Sequence, residues 1–185
     1  KLKLPGSRFF KWIAFVVLVL AVLGGSAYAF FLVSPSPSVY LIKRSLPDNG
    51  AAVSKAAEAY APNDIIATLD ITYGEGDDEK LDVYLPAGGD AEGKALPAIV
   101  WIHGGAFIVG DKADLRGYLK VLAGRGYATV SVGYTLAPSA QYPTPVLQAN
   151  AALAYIKEHA AELHIDPARL VLAGDSAGAQ IAAQL

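Results

Sequence analysis

The chain has 185 residues, a formal charge of −2, 54% hydrophobic residues and a mean hydropathy of +0.36. It contains no cysteine, which excludes disulfides, cysteine-based metal sites and a cysteine nucleophile. The charge divides into +4 before Trp12 and −6 after it (11 basic and 17 acidic residues), so no basic stripe is present to suit a nucleic-acid partner.

Residues 1–11 form a basic flank with Lys1, Lys3, Arg8 and Lys11. Trp12–Val33 follows, 22 positions without a charged side chain. A helix of roughly 20 apolar residues spans a bilayer core. The basic flank would stay cytoplasmic by the positive-inside rule, which places everything after Val33 outside the cytoplasm. A cleavable signal peptide is the competing reading: Ala27-Tyr28-Ala29 has the form of a cleavage site, and Trp12–Leu23 has the length of its apolar core. The apolar run continues through Phe30-Phe31-Leu32-Val33, which favours an uncleaved anchor.

Residues 34–62 read as a linker and pre-domain segment. Ser34-Pro-Ser-Pro-Ser38 suggests a short extended linker, and the Ala-rich stretch Lys55–Tyr60 suits a helix stopped by Pro62. From residue 63 onward, strand and helix patterns alternate. Ile65–Tyr73 has strand character, and Gly74–Asp78 is an acidic turn whose spacing does not match a calcium loop. Strands are expected at Leu81–Leu85, Leu96–Ile102, Tyr127–Val132 and Arg169–Ala173. Leu115, Tyr118, Leu119 and Leu122 recur on one face of a helix. The pair Pro143/Pro145 opens a second helix that runs to about Ala161, and Asp166-Pro167 marks a turn. This alternation implies an α/β domain over 63–185, with a mostly parallel sheet covered by helices on both faces.

Two segments carry chemistry. Gly174-Asp175-Ser176-Ala177-Gly178 follows an apolar strand and has the G-x-S-x-G form of a nucleophile elbow, a sharp strand-to-helix turn that exposes one serine hydroxyl. The strand Leu96–Ile102 empties into His103-Gly104-Gly105-Ala106-Phe107. Acyl transfer by serine passes through a tetrahedral oxyanion that must meet preorganised N–H groups. A glycine-rich loop supplies them because its backbone can approach the substrate closely. The other donor in such sites is the N–H after the nucleophile, here Ala177.

With these two segments stand Leu81-Asp-Val-Tyr-Leu-Pro86, Gly110-Asp111, Tyr134-Thr-Leu-Ala-Pro138, Tyr142-Pro143 and Ile165-Asp166-Pro167-x-Arg169, all in order. Together they resemble the α/β-hydrolase superfamily, in its esterase/lipase group of hormone-sensitive lipase-like and carboxylesterase-like enzymes, from about Leu81 to Leu185. The resemblance implies Ser176 as nucleophile and the N–H groups of Gly105, Ala106 and Ala177 as oxyanion hole. It makes His103 and Gly104 positioning residues of the loop, and it implies a small-molecule ester substrate with no metal or organic cofactor. Departures from the common pattern are Ala106 for a third glycine, Ala179 for glycine, and Gly133, Thr135 and Ser139 for Asp, Arg and Glu.

In this superfamily the order is serine, then acid, then histidine. Ala177–Leu185 contains neither acid nor histidine. His159 and His164 are expected at the far end of the elbow strand, which removes them as bases. The chain therefore reads as a carboxy-terminally truncated hydrolase, inert by itself. With no methionine, its start reads as incomplete too. The alternative is a non-catalytic cell-surface binding module on the same fold, since a fold does not determine its function.

Overall fold

The computed structural model describes residues 6–46, 49–88 and 95–185. It divides into two units, Lys1–Arg44 and Ser45–Leu185.

The first unit is dominated by α1, Ser7–Val33, a helix of 27 residues with no buried side chain. At 1.5 Å per residue it is about 40 Å long, enough to cross a bilayer core. Its length and composition suit a membrane span or a signal sequence equally. Here one expectation fails. The Pro-Ser stretch is not an extended linker, because Ser36 opens helix α2, Ser36–Ser45. Pro35 precedes that helix and Pro37 lies in its first turn, where no intrahelical N–H bond is required. The Pro35 carbonyl accepts the Val39 N–H at 2.9 Å, and Ser34 Oγ accepts the Ser36 N–H at 3.3 Å.

The second unit begins with α3, Gly50–Glu58, which ends before Pro62. Five strands follow: β1 (Ile65–Thr72), β2 (Lys80–Pro86), β3 (Leu96–Ile102), β4 (Ala128–Val132) and β5 (Ile165–Gly174). They form one mixed sheet in the order β1-β2-β4-β3-β5. The β4-β3-β5 part is parallel, while β1 and β2 add two antiparallel pairings. Helices α4 (Arg116–Ala123), α5 (Thr144–Glu158) and α6 (Ala177–Ala182) fill the connections after β3, β4 and β5.

Alternation along the strands assigns each face. Leu81, Val83, Ala98, Val100, Ile102, Ala128, Val130 and Val132 join α5 and α6 residues such as Ala152, Ile156 and Ile181 in one buried cluster. On the opposite face, Tyr84 packs with Leu119 and Ala123 of α4. There Thr129 Oγ1 donates to the Leu119 carbonyl at 3.0 Å, so the polar strand residue is satisfied by the helix that covers it. Strand β5 starts earlier than its apolar run suggests. Its Asp166-Pro167 turn is absorbed as a register shift, with Leu96 opposite Ile165 but Ala98 opposite Leu170. Asp166 Oδ1 accepts the Ala168 N–H at 2.9 Å inside that bulge.

Candidate active site

Parallel pairing brings the two chemical segments together. Ile102 is level with Gly174 across β3 and β5, so the chain leaves both strands side by side at their carboxyl ends. This is where ligands bind in open α/β sheets.

Ser176 sits between β5 and α6 with φ 49° and ψ −114°, and its side chain is exposed. Such a left-handed conformation is strained for a residue with a Cβ. The turn is held by the Asp175 carbonyl, which accepts the Gly178 N–H at 2.8 Å, and by the Ser176 carbonyl, which accepts the Gln180 N–H at 3.2 Å. Gly178 is obligatory for close packing, since a Cβ there would collide with the backbone carbonyls of Ile102 and His103. The first turn of α6 can therefore lie directly on the end of β3.

In the loop that follows β3, three consecutive residues adopt positive φ: Gly105 at 108°, Ala106 at 54° and Phe107 at 61°. The Gly105 carbonyl accepts both the Ile108 and the Val109 N–H at 2.9 Å, closing the turn. A Cβ on Gly105 would strike the Val109 carbonyl. Among the described residues, the N–H groups of Gly105, Ala106 and Ala177 donate no hydrogen bond within the chain. Three unused backbone donors around a strained, exposed serine can receive an oxygen that gains negative charge.

The side chains around them fix the loop. Asp175 Oδ1 accepts the Gly104 N–H at 3.2 Å and the Trp101 Nε1–H at 3.1 Å, tying elbow and loop to each other. His103 is buried at 4% exposure, and its Nδ1 donates to the Gly104 carbonyl at 2.8 Å. Its ring stacks on Tyr134 with centroids 4.3 Å apart, and the Tyr134 hydroxyl donates to the His103 carbonyl at 2.8 Å. Burial pushes the His103 pKa down, against a smaller opposing effect from the Gly104 hydrogen bond and nearby acids. The ring is thus held neutral, with one nitrogen committed to its own loop.

His159 and His164 lie away from this end. His159 caps α5, stacks on Tyr155 and meets Glu162 at 3.1 Å, while His164 precedes β5 at its opposite end. The role of Asp175 escapes sequence reading because it fills a variable position of the elbow motif. Tyr134 lies in the Tyr-Thr-Leu-Ala-Pro landmark, but its contact with His103 spans 31 residues and needs the fold.

A second polar group, unseen in the sequence, lies at the β1–β2 edge. Asp82 is fully buried and accepts from Lys112 Nζ at 2.6 Å, the Asp70 N–H at 2.9 Å and the Tyr84 hydroxyl at 3.1 Å. Lys112 also pairs with Asp70 at 2.8 Å, and Arg116 Nε donates to the Tyr84 hydroxyl at 3.2 Å. Burial opposes the Lys112 charge, but the hydrogen bonds to Asp70 and Asp82 outweigh it and raise its pKa. Asp70 is left-handed at φ 58°, in the β1 bulge that this bond stabilises.

Comparison with known proteins bears on this arrangement. The BD-FAE family model matches residues 81–185, more than half of the chain. Lipase 2 of Moraxella sp. (strain TA144) is 36% identical over 116 residues, 61% of this chain and 27% of the lipase. Kynurenine formamidase of Danio rerio is 34% identical over 118 residues, 63% of this chain and 38% of that enzyme. Among solved structures, esterase B from Lactobacillus rhamnosis (HN001) superposes with a TM-score of 0.66 at 27% identity, covering 78% of this chain and 45% of that one. The chain thus spans less than half the length of these three proteins.

Proposed function

This chain belongs to the BD-FAE family, within the esterase/lipase group of α/β-hydrolases, and from that premise we propose that it carries the nucleophile half of a membrane-anchored serine esterase. The reading rests on a strained, exposed Ser176 and on the three unused N–H groups of Gly105, Ala106 and Ala177, in two segments that the Asp175–Gly104 hydrogen bond ties together. In the proposed reaction Ser176 Oγ attacks the ester carbonyl carbon. The carbonyl π electrons move onto oxygen, which the three amides stabilise. The base takes the Ser176 Oγ proton and delivers it to the departing oxygen as the tetrahedral adduct collapses, so that the alcohol leaves and an acyl-serine remains, which water then hydrolyses to the acid and free Ser176.

A serine at its ordinary pKa needs a base, and that base needs an orienting acid. Ala177–Leu185 supplies neither, and His103 is committed to its loop. We therefore assign the base and acid to residues outside 1–185, and residues 1–185 alone should show no steady turnover. Loss of triad members typically removes ~10⁴-fold or more of the rate. His103 and Gly104 serve as positioning residues. The run of apolar residues past the Ala27-Tyr28-Ala29 site favours an anchor, and the basic flank of residues 1–11 would keep that end cytoplasmic and the hydrolase unit outside; a mature chain beginning at Phe30 would mean cleavage instead.

The test is labelling by a fluorophosphonate, which reacts with a serine that is both activated and served by an oxyanion hole. The full-length protein should take up the probe and lose it with Ser176→Ala. A folded full-length protein that takes up no probe and hydrolyses no ester across a broad panel would replace this reading with a binding module.

A further inference from the structure

The Gly105–Phe107 turn is not held by β3 alone. Segment 133–137, which leaves β4, bonds to this loop twice. The Tyr134 hydroxyl donates to the His103 carbonyl at 2.8 Å, and the Ala137 N–H donates to the Phe107 carbonyl at 2.8 Å. These two bonds bracket Gly105 and Ala106, the residues whose amides are left unused. A shift of the segment would therefore carry those amides with it.

The segment has no charged side chain of its own, so its anchors come from other elements. At Gly133 the N–H donates to the Lys80 carbonyl at 2.9 Å, and the carbonyl accepts the buried Tyr73 hydroxyl at 2.6 Å. At Thr135 the anchor is one side chain, Gln148 of α5. It is 8% exposed, and its Oε1 accepts the Thr135 N–H at 2.9 Å. A backbone N–H can only donate, which identifies that atom as oxygen and the other as the amide nitrogen. Nε2 in turn donates to Thr135 Oγ1 at 3.0 Å and to Glu79 Oε1 at 2.9 Å. Glu79 belongs to the hairpin between β1 and β2, where its carbonyl accepts the Tyr73 N–H at 3.0 Å and its N–H donates to the Gly76 carbonyl at 3.0 Å. Gln148 thus ties α5 and the hairpin to the segment that holds the glycine loop.

This position makes a double demand. One atom must accept from a backbone N–H, and its neighbour must donate to a carboxylate. A primary amide does both, a carboxylate only accepts, and an apolar chain does neither. A buried donor left without its acceptor is destabilised, so the segment would move to find another partner.

We propose that Gln148 and Glu79 are a positioning pair for the oxyanion hole: they fix segment 133–137 and, through Tyr134 and Ala137, aim the Gly105 and Ala106 amides. The inference rests on the serine-esterase reading above. Because those amides act on charge that develops in the transition state, a loosened pair should lower kcat and leave KM nearly unchanged.

The experiment uses the full-length protein and a short p-nitrophenyl ester, with kcat and KM determined separately and folding followed by the denaturant midpoint. Gln148→Glu sets a second carboxylate against Glu79, and kcat should fall about tenfold or more with KM within about threefold. Adding Glu79→Gln reverses the bond, since the amide at position 79 can donate to the carboxylate at position 148 while Thr135 still donates to it. The exchanged pair should bring kcat back to within about threefold of wild type. A purely structural role would change the midpoint and leave the kcat of folded protein alone. A folded Gln148→Glu variant with wild-type kcat, a loss carried by KM, or an exchange that does not restore kcat overturns the assignment. If Gln148→Glu does not fold, the exchanged pair decides: near wild-type kcat supports the assignment, and a folded protein slowed tenfold or one that does not fold overturns it. In each of these outcomes, wild-type hydrolysis and fluorophosphonate labelling leave the hydrolase reading standing. Wild-type protein that takes up no probe and hydrolyses no ester removes that reading and the positioning role together.

Discussion

The carboxyl ends of β3 and β5 and the ionic group between β1, β2 and α4 are built by opposite means. At the first, backbone does the work: positive-φ turns, glycines that admit a neighbouring carbonyl, and amides left without partners. At the second, side chains do it: a fully buried Asp82 is surrounded by Lys112, Tyr84 and Arg116, whose guanidinium lies 3.6 Å from the carboxylate and also donates to the Tyr84 hydroxyl. The two regions also treat charge differently. Burial lowers the His103 pKa and opposes its ionisation, whereas the Asp70 and Asp82 carboxylates overcome the burial of Lys112 and favour its charge. The site proposed to receive a transient charge has unpaired donors, whereas the ionic region pairs its buried polar groups.

That contrast can be broken most severely at Gly178. Adding a single methyl as Gly178→Ala would drive a Cβ into the Ile102 carbonyl, a backbone atom that cannot swing aside. We expect a loss of about 3 kcal/mol or more, read from the denaturant midpoint. A loss below about 1 kcal/mol would mean that α6 does not rest on β3 as described.

Next in size is Asp82→Ala. Removing one partner of a buried ion pair costs about 3–5 kcal/mol, and the low end is expected because Lys112 keeps the exposed Asp70. Asp82→Asn should cost less, since the amide oxygen still accepts the Asp70 N–H. Equal costs for the two variants would place the stabilisation in packing rather than in charge.

A smaller change, of opposite sign, is expected at Ser176. Its φ of 49° costs about 1–3 kcal/mol for a residue with a Cβ, and glycine returns part of that as unfolded-state entropy. Ser176→Gly should therefore raise stability by about 1 kcal/mol while abolishing probe labelling. A destabilised variant would show that the elbow stores no strain.

The smallest effect is a pH dependence. The folded His103 pKa is depressed, so below about pH 6.5 the unfolded chain binds the proton that the folded ring resists. Its contribution is present above that pH and is lost as pH falls towards the lower folded value. The expected loss is at most about 0.7 kcal/mol between pH 7 and 6, measured as a shift in denaturation midpoint that disappears in His103→Gln. An unchanged slope in that variant would assign the acid sensitivity to the ionic region instead.

The five strands and the α4 and α5 helices were legible in the sequence because their apolar residues repeat at the periods of strand and helix. The failure at Ser34–Ser38 has a physical reason: proline stops a helix from within but is welcome in its first turn, and composition does not say which applies. The Gly-rich loop and the elbow were legible for a related reason. A backbone-built site needs glycine or small residues at set spacings, and those leave a motif of a few consecutive letters. Asp175 falls inside such a motif, yet its bonds to Gly104 and Trp101 reach 71 and 74 residues back along the chain.

By itself, then, the sequence determined the apolar segment, the alternation of strands and helices, and the two motifs, because each depends on neighbours within about one turn or one strand. Tertiary structure alone decided that Asp82 meets Lys112 across 30 residues, that His103 is buried against Tyr134, and that Gln148 joins Thr135 to Glu79. Those are contacts between side chains that sheet order and register bring together, and no local period or spacing encodes sheet order.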